Sequence, residues 1–103
     1  MKDWLKHCGK RIFEVAKSNV TINNLLPGPF DTDRLRATVK ASADAAKRPF
    51  EDVLNERRAT NPARRFGDPA EFGEACAYLC SAQAGFITGQ NWLMDGGAYP
   101  GTF

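Results

Sequence analysis

The sequence predicts an α/β fold built on a parallel pair of strands, and three observations carry that prediction. Two short runs of strand type, Val20 to Leu26 and Gln90 to Met94, stand far apart in the 103-residue chain. Each is closed by residues that end strands, Pro27-Gly28-Pro29 after the first and Asp95-Gly96-Gly97 after the second. The stretch between them is helical in pattern. Strand, helical excursion, strand is a crossover unit, which makes the two strands parallel and the connection right-handed.

From Trp4 to Lys17, Trp4, Leu5, Cys8, Ile12, Val15 and Ala16 recur at three- and four-residue steps. That spacing draws one apolar stripe along a helix, weakened in the middle by Gly9 and ended by Ser18-Asn19. Val20-Thr-Ile-Asn-Asn-Leu-Leu26 is β-branched and short enough for a strand buried on both faces. Asp31-Thr32-Asp33 then offers caps for a helix from about Arg34 through Lys47, with a thin apolar seam of Leu35, Val39 and Ala43 that would hold it weakly. Pro49 sits where a first helical residue is tolerated, and Phe50, Val53, Leu54 and Arg57 give a second short helix ending near Asn61-Pro62.

The sharpest local signal is Asp68-Pro69-Ala70-Glu71, in which the aspartate caps, the proline opens the helix and the glutamate reaches back to the cap amide. The buried face of that helix would be Phe72, Ala75, Cys76 and Leu79, with a break over 81–85. Cys76 and Cys80, one helical turn apart, read as small core residues sharing a side. Two parallel strands leave edges that call for further neighbours, so the expected domain is incomplete as it stands.

Composition removes several functions. Apolar residues make up 43% and charged residues 25%, the balance of one soluble globular domain. A net charge of +2, with signs mixed except at Arg57-Arg58 and Arg64-Arg65, is too small for a nucleic-acid footprint. No apolar run approaches the ~20 residues that span a membrane, and Met1 to Arg11 lacks the apolar centre of a secretory signal. Three cysteines without metal-ligand spacing fit reduced thiols, which makes the cytoplasm the expected location. His7 is a lone histidine on a polar helical segment and is expected to be exposed.

Three blocks in this order resemble the C-terminal signature of short-chain dehydrogenases/reductases, nearest to the 3-oxoacyl-acyl-carrier-protein reductase type. They are Val20-Thr-Ile-Asn-Asn-Leu-Leu-Pro-Gly28 with Thr32, Arg65-Phe-Gly-Asp-Pro-Ala-Glu71, and Ile87-Thr-Gly-Gln-Asn-Trp-Leu-Met-Asp-Gly-Gly97. The resemblance implies the C-terminal part of a Rossmann-type doubly wound parallel sheet, with two strands and about four helices present here. It divides the chain, as one partial domain, into a helix over 1–19 and a strand with a nicotinamide-side loop over 20–32. A substrate loop with small helices follows over 33–66, then a helix and last strand over 67–97 and a tail over 98–103.

The resemblance also implies an NAD- or NADP-dependent oxidoreductase acting on a small carbonyl or alcohol substrate. Pro27, Gly28, Phe30 and Thr32 fall on the nicotinamide side of its pocket: backbone just after the Pro-Gly pair bonds the carboxamide, and the Thr32 hydroxyl lies near it and the pyrophosphate. Glycine permits that close backbone approach, and a hydroxyl can donate to an amide or phosphate oxygen. The last helix and strand are implied as a face for a homo-oligomer.

The family exchanges its substrate proton through a tyrosine tuned by a lysine four residues on, helped by a serine. The only tyrosines here are Tyr78 and Tyr99, neither with lysine at the fourth position, and no Gly-rich turn opens a dinucleotide-binding unit. The family interval back from Val20 would put the lysine at about Met1, and Lys2, lacking its tyrosine, reads as a solvated helix end. The expectation is therefore a fragment of an oxidoreductase, inactive alone and carrying no catalytic residue. The alternative is a non-catalytic self-association or interaction module that pairs, with itself or with full-length relatives, through its sheet edge and C-terminal strand.

Overall fold

The computed structural model describes residues 2–101, with side chains from His7 onward, so the predicted roles of Lys2, Trp4 and Leu5 lie outside the described side chains. The elements run α1 (Lys2–Val15), a 3₁₀ turn (Ala16–Ser18), β1 (Asn24–Pro27), α2 (Asp33–Ala46), α3 (Phe50–Thr60), α4 (Pro69–Leu79), a second 3₁₀ turn (Ala82–Ala84) and β2 (Asn91–Met94). β1 and β2 pair in parallel, Asn24 against Asn91 through Pro27 against Met94, and form a two-stranded sheet. Four helices around parallel strands give the expected α/β class.

β1 is shorter than its β-branched run suggests, for a visible reason. Before Asn24 the two segments are joined partly through side chains: the Ile22 amide donates to Thr88 Oγ1 at 3.1 Å, Asn23 Nδ2 donates to the Ile87 carbonyl at 3.0 Å, and the Gln90 amide donates to Asn23 Oδ1 at 3.1 Å. These side chains take ladder positions that another backbone would fill, so regular pairing begins only at Asn24. The strand is also half-buried rather than buried on both faces, since no further strand flanks the pair.

Helix starts follow their caps. Thr32 Oγ1 accepts from the Leu35 amide at 3.2 Å at the start of α2, and α4 carries a full capping box between Asp68 and Glu71. Lys47 ends α2 in the left-handed region at φ 52°, its amide donating to the carbonyls of Ala43 and Asp44. α2 buries the thin seam its sequence offers. Val39 (0% exposed) and Ala43 pack with Val53, Leu54 (2%) and Phe66 into the main buried cluster, flanked by Leu35 and Phe50. Few apolar residues suffice here because α3 and Phe66 close over the seam.

α4 lies along the sheet region through two aromatic contacts, Phe72 edge-on to Phe30 at 5.5 Å and Tyr78 stacked on Trp92 at 5.8 Å. Phe72, Ala75 and Leu79 are half-buried, but Cys76 and Cys80 are exposed, against the expectation of core thiols. Cys80 has already left the helix as its C-cap, and Cys76 lies on a helix that fully buries none of its residues. His7 is exposed as expected.

The radius of gyration is 17.5 Å, against about 13 Å for a compact domain of this length. Phe86 is 104% exposed and Phe13 86%, and both strands present an open edge. These features match a sheet and core that stop short of closure. No helix among the described residues is long and apolar enough to cross a membrane.

Candidate functional site

The site forms at the C-terminal edge of the parallel pair, where open α/β sheets leave a crevice. The Gly28 amide donates to the Met94 carbonyl at 2.8 Å, extending the ladder one step past β1. A Cβ at Gly28 would stand 2.6 Å from the Asp95 backbone, so glycine is what allows the two strand ends to meet. The chain then swings outward through Pro29, and Phe30 bridges to Gly67 in parallel, with the Asp31 amide donating to the Gly67 carbonyl at 2.9 Å and the Gly67 amide to the Pro29 carbonyl at 3.0 Å. The Phe30 ring lies over Gly67, where a Cβ would come within 2.6 Å of it.

Pro27, Gly28, Phe30 and Thr32, the four residues expected on the cofactor side, all line one open cavity of about 610 Å³. Its carbon walls include Pro29, Leu35 and Phe72, the last in edge contact with Phe30. The Phe30 amide has no acceptor within the described chain, which leaves it available to a ligand. Thr32 spends one acceptor lone pair on the Leu35 amide, and its hydroxyl hydrogen is still free to donate. A free amide and a free hydroxyl thus stand beside apolar walls.

Sequence reading missed three residues at this cavity, Arg34, Thr38 and Arg57. Arg34 and Thr38 lie one helical turn apart on α2, and Thr38 Oγ1 donates to the Arg34 carbonyl at 3.0 Å. Arg57 reaches in from α3 and makes one long contact, 3.5 Å to Ser42 Oγ. The sequence marks α2 only by its Leu35, Val39 and Ala43 seam, and nothing local says that Arg34 and Thr38 beside it line a crevice.

A smaller hollow of about 250 Å³, which shares Pro29 and Phe30 with the first, lies between Asn61, Arg65, Leu93 and the turn after β2. Asn61 is the buried polar residue of this region: its Nδ2 donates to the Asp95 carbonyl at 2.9 Å and its Oδ1 accepts from the Ala63 amide at 2.9 Å. It ties the end of α3 to the end of β2. Asp95 in turn accepts from the Gly97 and Tyr99 amides, which fixes the turn that faces Gly28.

Two ion pairs stand near the site, outside the residues that line the larger cavity. Arg36 holds the Asp31 carboxyl below the ordinary carboxylate range through a 2.7 Å hydrogen bond. Arg65, together with the Asp68 amide, brings Glu71 down to about 2. Arg48 pairs with Glu56 away from the cavity. No group of three or more His, Cys, Asp or Glu among the described residues could hold a metal.

Comparison with known proteins bears on the family and the fold. The sequence profile of a family described as Enoyl-(Acyl carrier protein) reductase matches residues 12–99. Acetoacetyl-CoA reductase of Cupriavidus necator is 36% identical over 88 residues, which cover 85% of this chain and 31% of that protein. A short chain dehydrogenase family protein from Francisella tularensis superposes with a TM-score of 0.84 at 25% identity, covering 94% of this chain and 40% of that one. YwfH, an NADPH dependent reductase involved in bacilysin biosynthesis, superposes with a TM-score of 0.82 at 28% identity, covering 95% of this chain and 37% of that one. The chain thus spans about a third of the length of the relatives it matches. Its parallel pair, its Pro-Gly loop and these matches over most of its residues show that the chain belongs to the short-chain dehydrogenase/reductase family.

Proposed function

We propose that the chain supplies the nicotinamide-side wall of an NAD(P)-dependent oxidoreductase acting on a small carbonyl or alcohol. The observation that carries this reading is the convergence of Pro27, Gly28, Phe30 and Thr32 on one cavity beside an unpaired Phe30 amide. A bound dinucleotide would supply or accept a hydride at its nicotinamide ring. The Phe30 amide would hold the carboxamide, the Thr32 hydroxyl would donate to it or to the first phosphate, and Pro27, Pro29 and Phe72 would keep water from one face. Relatives whose names point to acetoacetyl-CoA and NADPH favour a 3-oxoacyl thioester as substrate and NADPH as cofactor.

Within the chain no tyrosine is followed by lysine at the fourth position, so the residues present do not form the family's proton-exchanging pair. The 103 residues by themselves are accordingly expected to bind NADPH weakly and to reduce nothing. We assign the chain to the cytoplasm on its unpaired cysteines. The test incubates the purified chain with NADPH and a panel of 3-oxo compounds, following absorbance for turnover and nicotinamide fluorescence for binding. Sustained NADPH consumption would overturn the reading, as would NADPH binding indifferent to Thr32→Val.

A second reading has its own observation. Both strand edges are open, and Phe13, Val20 and Phe86 are exposed, which suits self-association through the sheet edge and through α4 with β2. Light scattering distinguishes it: a dimer or larger species supports a homo-oligomer, and a monodisperse monomer counts against it.

A further inference from the structure

Cys76 and Cys80 take no part in the cavity described above, and they share one turn at the end of α4. The Cys80 amide donates to the Cys76 carbonyl at 3.1 Å, so this turn keeps α-helical geometry through its C-cap. Residues four apart on such a turn stand side by side, with Cβ atoms about 5–6 Å apart. Both thiols are free and exposed. The surface around them is open: a Cβ added at Gly73, one turn before Cys76, meets nothing within 4 Å, and Ala77 is exposed. α4 carries Glu71 and Glu74 but no lysine or arginine, and its carbonyl end lies at this turn, so the local field favours a cation.

Distance decides what the pair can hold. A disulfide needs Cβ atoms about 3.5–4.5 Å apart, closer than a regular turn brings them. One ion set between the two sulfurs adds two metal–sulfur bonds of about 2.3 Å each, which spans the gap without unwinding the helix. No third His, Cys, Asp or Glu completes a cluster with them among the described residues, so an ion that requires four protein ligands is poorly served. Thiolates select soft ions, and Cu(I) is satisfied by two sulfurs. We propose that Cys76 and Cys80 form a two-coordinate site for a soft monovalent cation, Cu(I) or its congener Ag(I). Binding exchanges two S–H bonds for two S–metal bonds, releases two protons to solvent and leaves the oxidation states of metal and sulfur unchanged.

The test titrates the full chain with Cu(I) under anaerobic conditions against a chromogenic Cu(I) chelator, and native mass spectrometry gives the stoichiometry. The parent should take up one ion per chain without a change in oligomeric state, and Zn(II) at the same concentration should not displace it. Cys76→Ser and Cys80→Ser should each weaken uptake more than about a hundredfold, beyond what loss of a merely supporting group costs, while Cys8→Ser should leave it intact. Moving the second thiol checks the spacing. Within Cys80→Ser, Gly73→Cys sets a thiol three residues before Cys76 on the same face and should restore uptake, whereas Glu74→Cys, two residues away on another face, should not. Absence of uptake by the parent overturns the site, as does undiminished uptake by both serine variants. Half an ion per chain with a doubled mass also overturns it, because the ion would then join thiols of two copies. Ready closure of an intramolecular Cys76–Cys80 disulfide under diamide, with helical ellipticity unchanged, would overturn the spacing on which the site stands. Both cysteines are exposed, so the serine variants should fold as the parent does, and matching far-UV circular dichroism spectra confirm it.

Discussion

Gly28→Ala isolates the contact on which the site depends. The position does not use a left-handed backbone, so alanine brings no conformational penalty of that kind and its cost is steric. The new methyl would sit 2.6 Å from both Cα and Cβ of Asp95 and 3.3 Å from the Met94 carbonyl oxygen, where ordinary contacts lie at 3.4–4 Å. Relief requires the strand ends to part by roughly 1 Å, which breaks the 2.8 Å bond from the Gly28 amide to the Met94 carbonyl. Overpacking costs about 1–3 kcal/mol and the lost hydrogen bond about 0.5–1.5, so the substitution should destabilise by about 2–4 kcal/mol. Gly73→Ala supplies the matched control. Its Cβ meets nothing within 4 Å on α4, and replacing a helical glycine should stabilise by about 0.5–1 kcal/mol. Urea titrations followed by far-UV circular dichroism should therefore move the two midpoints in opposite directions. A Gly28→Ala midpoint equal to or above the parent would refute the claim that the strand ends are in contact.

Leu54→Ala should cost about 2–5 kcal/mol, because Leu54 is 2% exposed at the centre of the α2–α3 cluster; a urea midpoint shift below that of a surface variant would contradict the packing. Asn61→Asp replaces the Nδ2 donor with an acceptor facing the Asp95 carbonyl, and thermal unfolding should report a loss of about 1–3 kcal/mol while Ala63 keeps its partner. Glu71 gives a pH signature. Its carboxyl lies at about 2 when folded, below the ordinary 4.5, so its contribution is complete above about pH 4.5 and disappears as the pH falls toward 2. Glu71→Gln should thus lower the unfolding midpoint at pH 6 and narrow its gap from the parent at pH 3; a gap independent of pH would show that the Arg65 pairing contributes nothing.

Much of the fold was readable because its punctuation is local. The Asp68-Pro69-Ala70-Glu71 box formed as its residues dictate, the Thr32 cap opened α2, and Pro-Gly and Gly-Gly closed the two strands. What escaped depends on partners distant in sequence. Asn23 and Thr88 shorten β1 only because their side chains meet across the chain, and the exposure of Cys76 depends on which flank of α4 meets the sheet. The same limit applied at the site: the loop residues carried a recognisable signature, whereas Arg34, Thr38 and Arg57 enter it through the packing of α2 against α3.

The separation of the paired strands bears on how such a chain is made. Asn24 and Asn91, which open the ladder and share a side-chain hydrogen bond at 2.8 Å, lie 67 residues apart. At roughly 5–20 residues per second, a ribosome needs about 3–13 s to supply the second after the first. Through that interval the helical pair α2–α3 can consolidate from neighbouring residues, while the edge of Leu25 and Leu26 that will meet Trp92 and Leu93 waits without that partner. Chaperone attention during synthesis should accordingly fall on that waiting strand.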